Sequence, residues 1–250
     1  MKKPLVSIIT PTYNASKFIN ETVQSVWNQT YQNFEHIIVD DCSRDNTWDI
    51  LEGLEKENSR IKLLRMDKNS GAALARNKAI QLSKGKYIAF LDSDDLWEPR
   101  KLELQVQFMQ NHNIAFSFTN YKMIDESGQD LYREVKCPKV INYRDLLKNT
   151  TIGCLTVMLD KDKIGKITMP NLQPEDTALW LRILKKGHSA YCLQETLASY
   201  RLVSNSVSSN KWKVAKRMWK VYRTSEKLNI FSSFCYFFNY AWNAVRKHYL

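Results

Sequence analysis

KYIAFLDSDD, residues 86–95, sets a short apolar run directly against three aspartates and a serine. Lys86–Leu91 is short, aromatic and uniformly apolar beyond its lysine, the pattern of a strand covered on both faces rather than on one. In open α/β sheets, ligands bind beyond the carboxyl ends of such strands, and that is where these acids stand. On an extended chain residues i and i+2 project alike, so Asp92 and Asp94 share one side and Ser93 takes the other. Two carboxylates held that close repel each other unless a cation lies between them. Hard oxygen ligands, with neither Cys nor His beside them, suit Mg2+ or Mn2+ rather than zinc. A lone Asp-x-Asp is more often a solvated acidic turn; its place at the end of an apolar strand favours the metal.

The same rhythm runs upstream. Leu5–Thr10, Phe34–Asp40 and Ile61–Met66 read as strands, and Lys17–Gln29, Thr47–Glu57 and Gly71–Ser83 as helices, the second capped by Asn46. Pro99–Gln110 is a further helix, with Pro in its first turn. This alternation predicts an α/β fold whose mostly parallel sheet carries helices on both faces. Three strand ends carry polar signatures: PTYN, DDCSRDNT and DSDD. An acid in the second can accept a hydrogen bond from a nucleotide's base or sugar, and equally can make an Asp/Ser turn. Residues 114–136 read as strands around a turn at Asp125–Gly128, Asn142 caps a short helix to Leu147, and Leu155–Asp160 is a strand. Pro174–Lys186 is an amphipathic helix stopped by Gly187, with Glu175 and Asp176 in its first turn, and Ala190–Tyr200 a last strand. The Ser/Asn-rich 200–210 is a boundary. The expected division is a catalytic unit over 1–210, its halves 1–110 for nucleotide and 111–210 for acceptor, and a helical tail over 211–250.

The formal charge of +11 is concentrated at one end: residues 211–250 hold nine bases against one acid, Glu226. Five scattered cysteines without a C-x-x-C pair fit a reducing compartment rather than a disulfide or zinc framework. The apolar run Leu5–Ile9 is too short for a secretory leader, and no stretch reaches the length of a membrane span. The absence of G-x-G-x-x-G excludes a dinucleotide dehydrogenase.

VSIITPTYN (6–14), VDDCSRDNT (39–47), GAALARNKAI (71–80), YIAFLDSDD (87–95) and EDTALWLRI (175–183) together resemble the successive motifs of family 2 inverting glycosyltransferases of GT-A fold. The stretch from Tyr200 to Arg223 is similar to a bacterial subgroup that builds O-antigen, capsule or teichuronic-type polymers. The resemblance implies a hexosyl- or N-acetylhexosaminyltransferase, most simply UDP-dependent, and assigns roles. Pro11, Thr12, Tyr13 and Asn14 form the first nucleotide loop, Asp41 meets the uracil edge, Arg76 orders base and diphosphate, and Asp92 touches ribose. Asp94 holds Mn2+ or Mg2+, while Asp95 and Trp97 meet the donor sugar. Asp176 is the general base, with Glu175 and Trp180 near the acceptor and Gly153 and Cys154 on the acceptor side. One departure stands out: where many members carry Tyr-Arg-x-His, this chain has Tyr200-Arg201-Leu202-Val203, and Val203 cannot ligate a metal. Arg201, or a nearby Ser or Lys, is then the expected source of charge for the leaving group.

A single acid on a separate element, with no second carboxylate placed as nucleophile, favours direct displacement with inversion. In the tail, Trp212, Ala215, Trp219 and Tyr222 fall on one helical stripe beside lysines and arginines. Phe231, Phe234, Phe238 and Trp242 make a second stripe. This composition suits an interfacial helix at an anionic membrane, with a helix pair packed on the body as the alternative. The expectation is a cytoplasmic enzyme, peripheral at the inner face of the plasma membrane, acting on an undecaprenyl-diphosphate-linked saccharide. No nucleic acid is expected as partner, although the basic aromatic tail makes a nucleic-acid binder the non-enzymatic rival. A sugar nucleotidyltransferase is the enzymatic one, and PTYNASKF lacks the Gly- and base-rich phosphate loop it needs.

Overall fold

The computed structural model describes residues 3–203 and 211–249. Most of the expected 200–210 boundary lies outside them. In chain order the elements are β1 (Val6–Thr12), α1 (Ile19–Trp27), β2 (Phe34–Asp40), α2 (Thr47–Glu57), β3 (Ile61–Arg65), α3 (Ala72–Leu82), β4 (Tyr87–Phe90), β5 (Leu96–Trp97) and α4 (Lys101–Asn111). There follow β6 (Phe116–Ile124), β7 (Asp130–Val135), β8 (Val140–Ile141), α5 (Tyr143–Lys148), β9 (Met158–Asp160), α6 (Lys161–Ile164), α7 (Glu175–Lys185), β10 (Ala190–Arg201), α8 (Lys211–Lys220) and α9 (Ile230–Tyr249).

The main sheet runs β3-β2-β1-β4-β9-β6-β10-β5, with β7 on β6 and β8 on β10. The sheet is mixed, because the short β9 lies antiparallel to both β4 and β6. Two reversals cancel, so β6 and its parallel partner β10 point the same way as β1, β2, β3 and β4. The carboxyl ends of these six strands therefore share one edge. That edge collects Pro11–Asn14, Asp40–Ser43, Leu91–Asp95, the β6–β7 turn and Arg201.

Side-chain alternation feeds a core on each face. Ile9, Ile37, Val39, Ile88 and Phe90 point towards α3, α5 and α7. Ile8, Tyr87 and Ala89 point towards α4, and Ile38 packs with α1 and α2. The turn at Asp125–Gly128 closes through the Gly128 N–H on the Asp125 carbonyl, and Asn142 caps α5 in a reciprocal box with Asp145. Asn46 sits at the head of α2 but does not cap it. Asp45 accepts the Thr47 N–H at 3.1 Å instead, being one residue better placed to reach back into the first turn.

The tail is part of the core on its inner side. Met218, Val221 and Tyr222 are buried in the α3/α7 cluster, and the Tyr222 hydroxyl donates to the Leu147 carbonyl at 2.6 Å. Glu226, the tail's one acid, is buried against Lys185 at 3.1 Å and accepts from the Tyr143 hydroxyl at 2.8 Å. The expected stripe of Trp212, Ala215, Trp219 and Tyr222 is therefore split. Trp212 is 88% exposed, Trp219 packs on Phe234 and Phe237 of α9, and Tyr222 turns inward through a single π turn over Val221–Ser225. The second stripe stays whole: Phe231, Phe234, Phe238 and Trp242 are exposed. Among the described residues no helix is long and apolar enough to cross a membrane.

Candidate active site

The first two strand ends are tied into one cradle. The Asp41 N–H donates to the Thr12 carbonyl at 2.8 Å. Asn14, at φ +50°, gives its N–H to Ser43 Oγ at 2.9 Å and takes the Arg44 N–H on its own side chain at 2.8 Å. Asparagine tolerates this left-handed conformation because its short amide bonds locally. Asp41 is buried, and its two oxygens accept the N–H groups of Ser70 at 2.8 Å and Gly71 at 2.6 Å. Gly71 stands at φ +90°, a geometry that favours glycine, and leads directly into α3. Asp41 thus fixes the start of α3 and keeps its remaining lone pairs for whatever enters the cradle. Tyr13 is exposed at the rim, while Pro11 and Thr12 are buried at the end of β1.

Arg76, on α3, joins the DSDD turn to the head of α7. Its Nη2 meets Asp92 at 2.5 Å and its Nη1 meets Glu175 at 2.6 Å, with the guanidinium almost wholly buried. Burial disfavours the guanidinium's charge, but Asp92, Cys154 and Glu175 outweigh it and hold the group protonated more firmly than usual. This bridge brings the head of α7, and with it Asp176, beside the DSDD turn. Burial first, then Glu175, push the Asp176 carboxyl up to about 6. Its Oδ1 accepts the Thr177 N–H at 2.6 Å, which leaves Oδ2 for chemistry. Cys154 lies in the same cluster, its thiol pushed up by burial against the pull of Arg76.

Within DSDD the acids diverge. Asp94 is half-buried and pushed up to about 6 by burial and by Asp92. Asp95 turns inward: its Oδ1 accepts the Arg201 N–H at 2.9 Å, Oδ2 is buried without a partner, and burial with Asp94 and Asp92 drives its carboxyl well up. It braces the turn and offers no surface to a donor sugar. Trp97, also expected there, is buried with its indole N–H on the Leu155 carbonyl at 2.7 Å. Trp180, expected near the acceptor, has no exposed surface and packs between Phe90 and Phe116. Both indoles support the site from the core, because β5 and α7 turn those positions into it.

Arg201 does not serve a leaving group. Its side chain has no exposed surface, and its donors go to Glu21 Oε2 at 2.6 Å and to the carbonyls of Asp94 at 2.8 Å and Glu126 at 3.0 Å. The alternative Ser or Lys nearby falls on residues 204–211, whose side chains lie outside the description. Sequence reasoning missed Glu21, Ser70 and Gly71. The one available signal was Arg201 itself, a charge ending an apolar strand, which cannot be buried unless paired.

Among the described residues, no group of three or more His, Cys, Asp or Glu is arranged to hold a metal by itself. The donor set still fits a hard cation. Burial first, and then the neighbouring Asp92 carboxylate, raise the proton affinity of Asp94 even against Arg201 and Arg76, a penalty on its charge that a bound cation would relieve. Mg2+ and Mn2+ at nucleotide sites characteristically take one or two carboxylates and complete their shell with phosphate and water.

Glycosyl transferase family 2 matches residues 7–164. Over 246 residues the chain is 52% identical to a Bacillus subtilis (strain 168) protein named as a candidate teichuronic acid biosynthesis glycosyltransferase, TuaG, covering 98% of both chains. Over 245 residues it is 42% identical to WfgD of Escherichia coli, named UDP-Glc:alpha-D-GlcNAc-diphosphoundecaprenol beta-1,3-glucosyltransferase, covering 98% of this chain and 95% of that one. In structure it resembles S. aureus TarS 1–349 in complex with UDP-GlcNAc, with TM-score 0.73 and 22% identity over 88% of this chain and 65% of that one. The mannosyltransferase PcManGT of Pyrobaculum calidifontis, solved with GDP-Man and Mn2+, gives TM-score 0.69 at 17% identity over 92% and 66%. The fold is GT-A, and the chain belongs to glycosyl transferase family 2.

Proposed function

We propose that this enzyme transfers one sugar, with inversion, from a UDP-sugar to a saccharide carried on a polyprenyl diphosphate at the membrane surface. The observation that carries the reading is the Asp92–Arg76–Glu175 bridge, which joins the donor-side turn to the head of the helix that bears Asp176. The name of the 42% identical WfgD supports both the UDP donor and the lipid-linked acceptor.

In this reading the cradle of Pro11–Asn14 and Asp41 receives the nucleoside, with Tyr13 at its rim and Asp92 towards the ribose. Asp94 would hold Mg2+ or Mn2+, which when bound neutralises charge on the departing diphosphate. Asp176 Oδ2 takes the proton of the acceptor hydroxyl, and a carboxyl tuned to about 6 is a stronger base than an ordinary aspartate while still ionised at neutral pH. Because Arg76 neutralises Glu175 beside it, the head of α7 does not accumulate two bare charges.

The exposed aromatics of α9 and the bases of α8 form the surface that meets the bilayer. Bases near an anionic surface contribute about 1 kcal/mol each, so four engaged give roughly 4 kcal/mol. The test is transfer from UDP-glucose and UDP-N-acetylglucosamine to a polyprenyl-diphosphate-linked N-acetylhexosamine with Mn2+, with product anomer read by NMR. Transfer that inverts the donor anomer is expected; retention, or UDP-sugar turnover that ignores the acceptor, overturns the reading.

A further inference from the structure

We propose that Arg201 is the positioning residue of the DSDD turn, aiming the Asp94 carboxylate by holding the backbone beneath it. The inference rests on the reading that Asp94 carries a divalent cation with the donor diphosphate. Three successive carbonyls of the turn are each held by a side chain from elsewhere in the fold. Thr22 Oγ1, on α1, shares its one hydroxyl proton between the carbonyls of Ser93 and Asp95, both at 3.0 Å. Arg201 Nε, at the end of β10, donates to the carbonyl between them, that of Asp94, at 2.8 Å. The Arg201 N–H adds a bond to Asp95 Oδ1 at 2.9 Å. With the backbone fixed on every side, the Asp94 carboxylate is the part of the turn left to bind.

The guanidinium is itself locked from behind. Its Nη2 meets Glu21 Oε2 at 2.6 Å, its Nη1 donates to the Glu126 carbonyl at 3.0 Å, and the Phe18 ring lies 5.0 Å from its centre. A buried charge is costly unless its partners are complete, so a side chain needed only to end a strand would not be an arginine. What this arginine adds is a planar fork that reaches α1, the β6–β7 turn and the Asp94 carbonyl at once, and a lysine's single ammonium cannot span those directions. Outer groups that orient a metal ligand typically govern about 10- to 100-fold in metal affinity.

The test uses the full chain and reads binding. UDP binding is followed by calorimetry across a Mn2+ titration, with thermal unfolding in parallel, for the parent, Arg201→Lys and Glu21→Gln. The Mn2+ concentration for half-maximal UDP binding is expected to rise about 10-fold in Arg201→Lys and by a smaller factor in Glu21→Gln, with Mn2+-free UDP binding unchanged. Folded variants with a lower thermal midpoint and an unmoved Mn2+ requirement would overturn the proposal, since that is the signature of a purely structural tie. If Arg201→Lys does not fold, Glu21→Gln, which keeps the arginine and removes only the charge behind it, decides alone. A parent that binds UDP without any Mn2+ dependence overturns the reading of Asp94 and this inference together. A Mn2+-dependent parent with unmoved variants overturns the clamp only.

Discussion

Asp176→Asn separates base strength from folding in a single substitution. In the native chain the carboxyl is raised from 3.8 to about 6, first by burial and then by Glu175. A displacement of about two units corresponds to roughly 3 kcal/mol. The folded chain holds the Asp176 proton more tightly than the unfolded chain does. The resulting stabilisation is complete below about pH 4, declines as pH rises between about 4 and 6, and is gone above that. At pH 8 the parent therefore keeps a desolvated charge that asparagine does not have. Asp176 is only half-buried, so roughly 3 kcal/mol is a ceiling. For a chain of this length each kcal/mol moves the midpoint by about 2–4 °C, which gives a gain of up to about 6–12 °C.

Chemical denaturation and thermal unfolding of parent and variant at pH 4.5 and 8 would measure this gain, which should shrink at the lower pH. The same variant should lose about 10²- to 10⁴-fold in transfer while Mn2+-dependent UDP binding persists. In the parent, transfer at saturating donor and Mn2+ should fall about tenfold per pH unit below about 6 and level off above it. Saturation matters, because Asp94 also rises to about 6 and would impose its own loss of metal binding in acid. Equal midpoints at pH 8 would refute the desolvation of Asp176. A saturated rate that is flat from pH 5 to 7.5 would place the base elsewhere.

Asp94→Ala is expected to abolish Mn2+-dependent UDP binding in calorimetry, since Asp92, the carboxylate on the same side of the turn, is already engaged by Arg76. Removing 211–250 takes Met218, Val221 and Tyr222 out of the core they help to fill, each worth roughly 1.5–3 kcal/mol. That loss is comparable to the whole stability of a domain, about 5–15 kcal/mol, so circular dichroism should show the truncated chain unfolded or molten. Replacing Phe231, Phe238 and Trp242 together by Ser spares the inner face. Vesicle flotation at low salt should fall by at least about 10-fold, the effect of 1.4 kcal/mol, with an unchanged thermal midpoint. Undiminished flotation would remove α9 from the membrane contact.

The first 110 residues were largely legible because their signals are local. The apolar run FEHIIVD is β2 residue for residue, and the acids of DSDD lie at the strand end where periodicity puts them. What stayed hidden depends on pairing between distant segments, which spacing does not encode. Nothing in Met158–Asp160 says that it inserts antiparallel between β4 and β6. Nothing beside Arg201 says that Glu21, Asp94 and Glu126 converge on it. Trp97 and Trp180 carry a similar lesson. An aromatic next to a motif suggests a sugar platform, but α7 is buried at Thr177–Leu181, Ile183 and Leu184, which leaves its indole no face to present. The tail's charge was readable, yet its inner face was not: Met218, Val221 and Tyr222 become core only through α5 and α7.

α7 links the two ends of the proposed task. Its first turn carries Asp176, and its last carries Lys185, whose ammonium meets the tail's buried Glu226 at 3.1 Å. An eleven-residue helix is about 16 Å long, so base and tail are joined by one short rigid rod rather than by a linker. A tail that met the bilayer through a flexible connection would leave the acceptor's sugar to find the base by diffusion. In the proposed reading, a tail locked to α7 would fix the height of Asp176 above the headgroups, so that a sugar one or two residues out from a lipid diphosphate would meet the base at a set distance. Breaking the Lys185–Glu226 contact without unfolding the tail, as in Lys185→Met, should leave flotation and the turnover of short water-soluble acceptors little changed. Transfer to the polyprenyl-linked acceptor should fall several-fold under the same conditions. Equal losses on both acceptors would show that the rod serves stability alone.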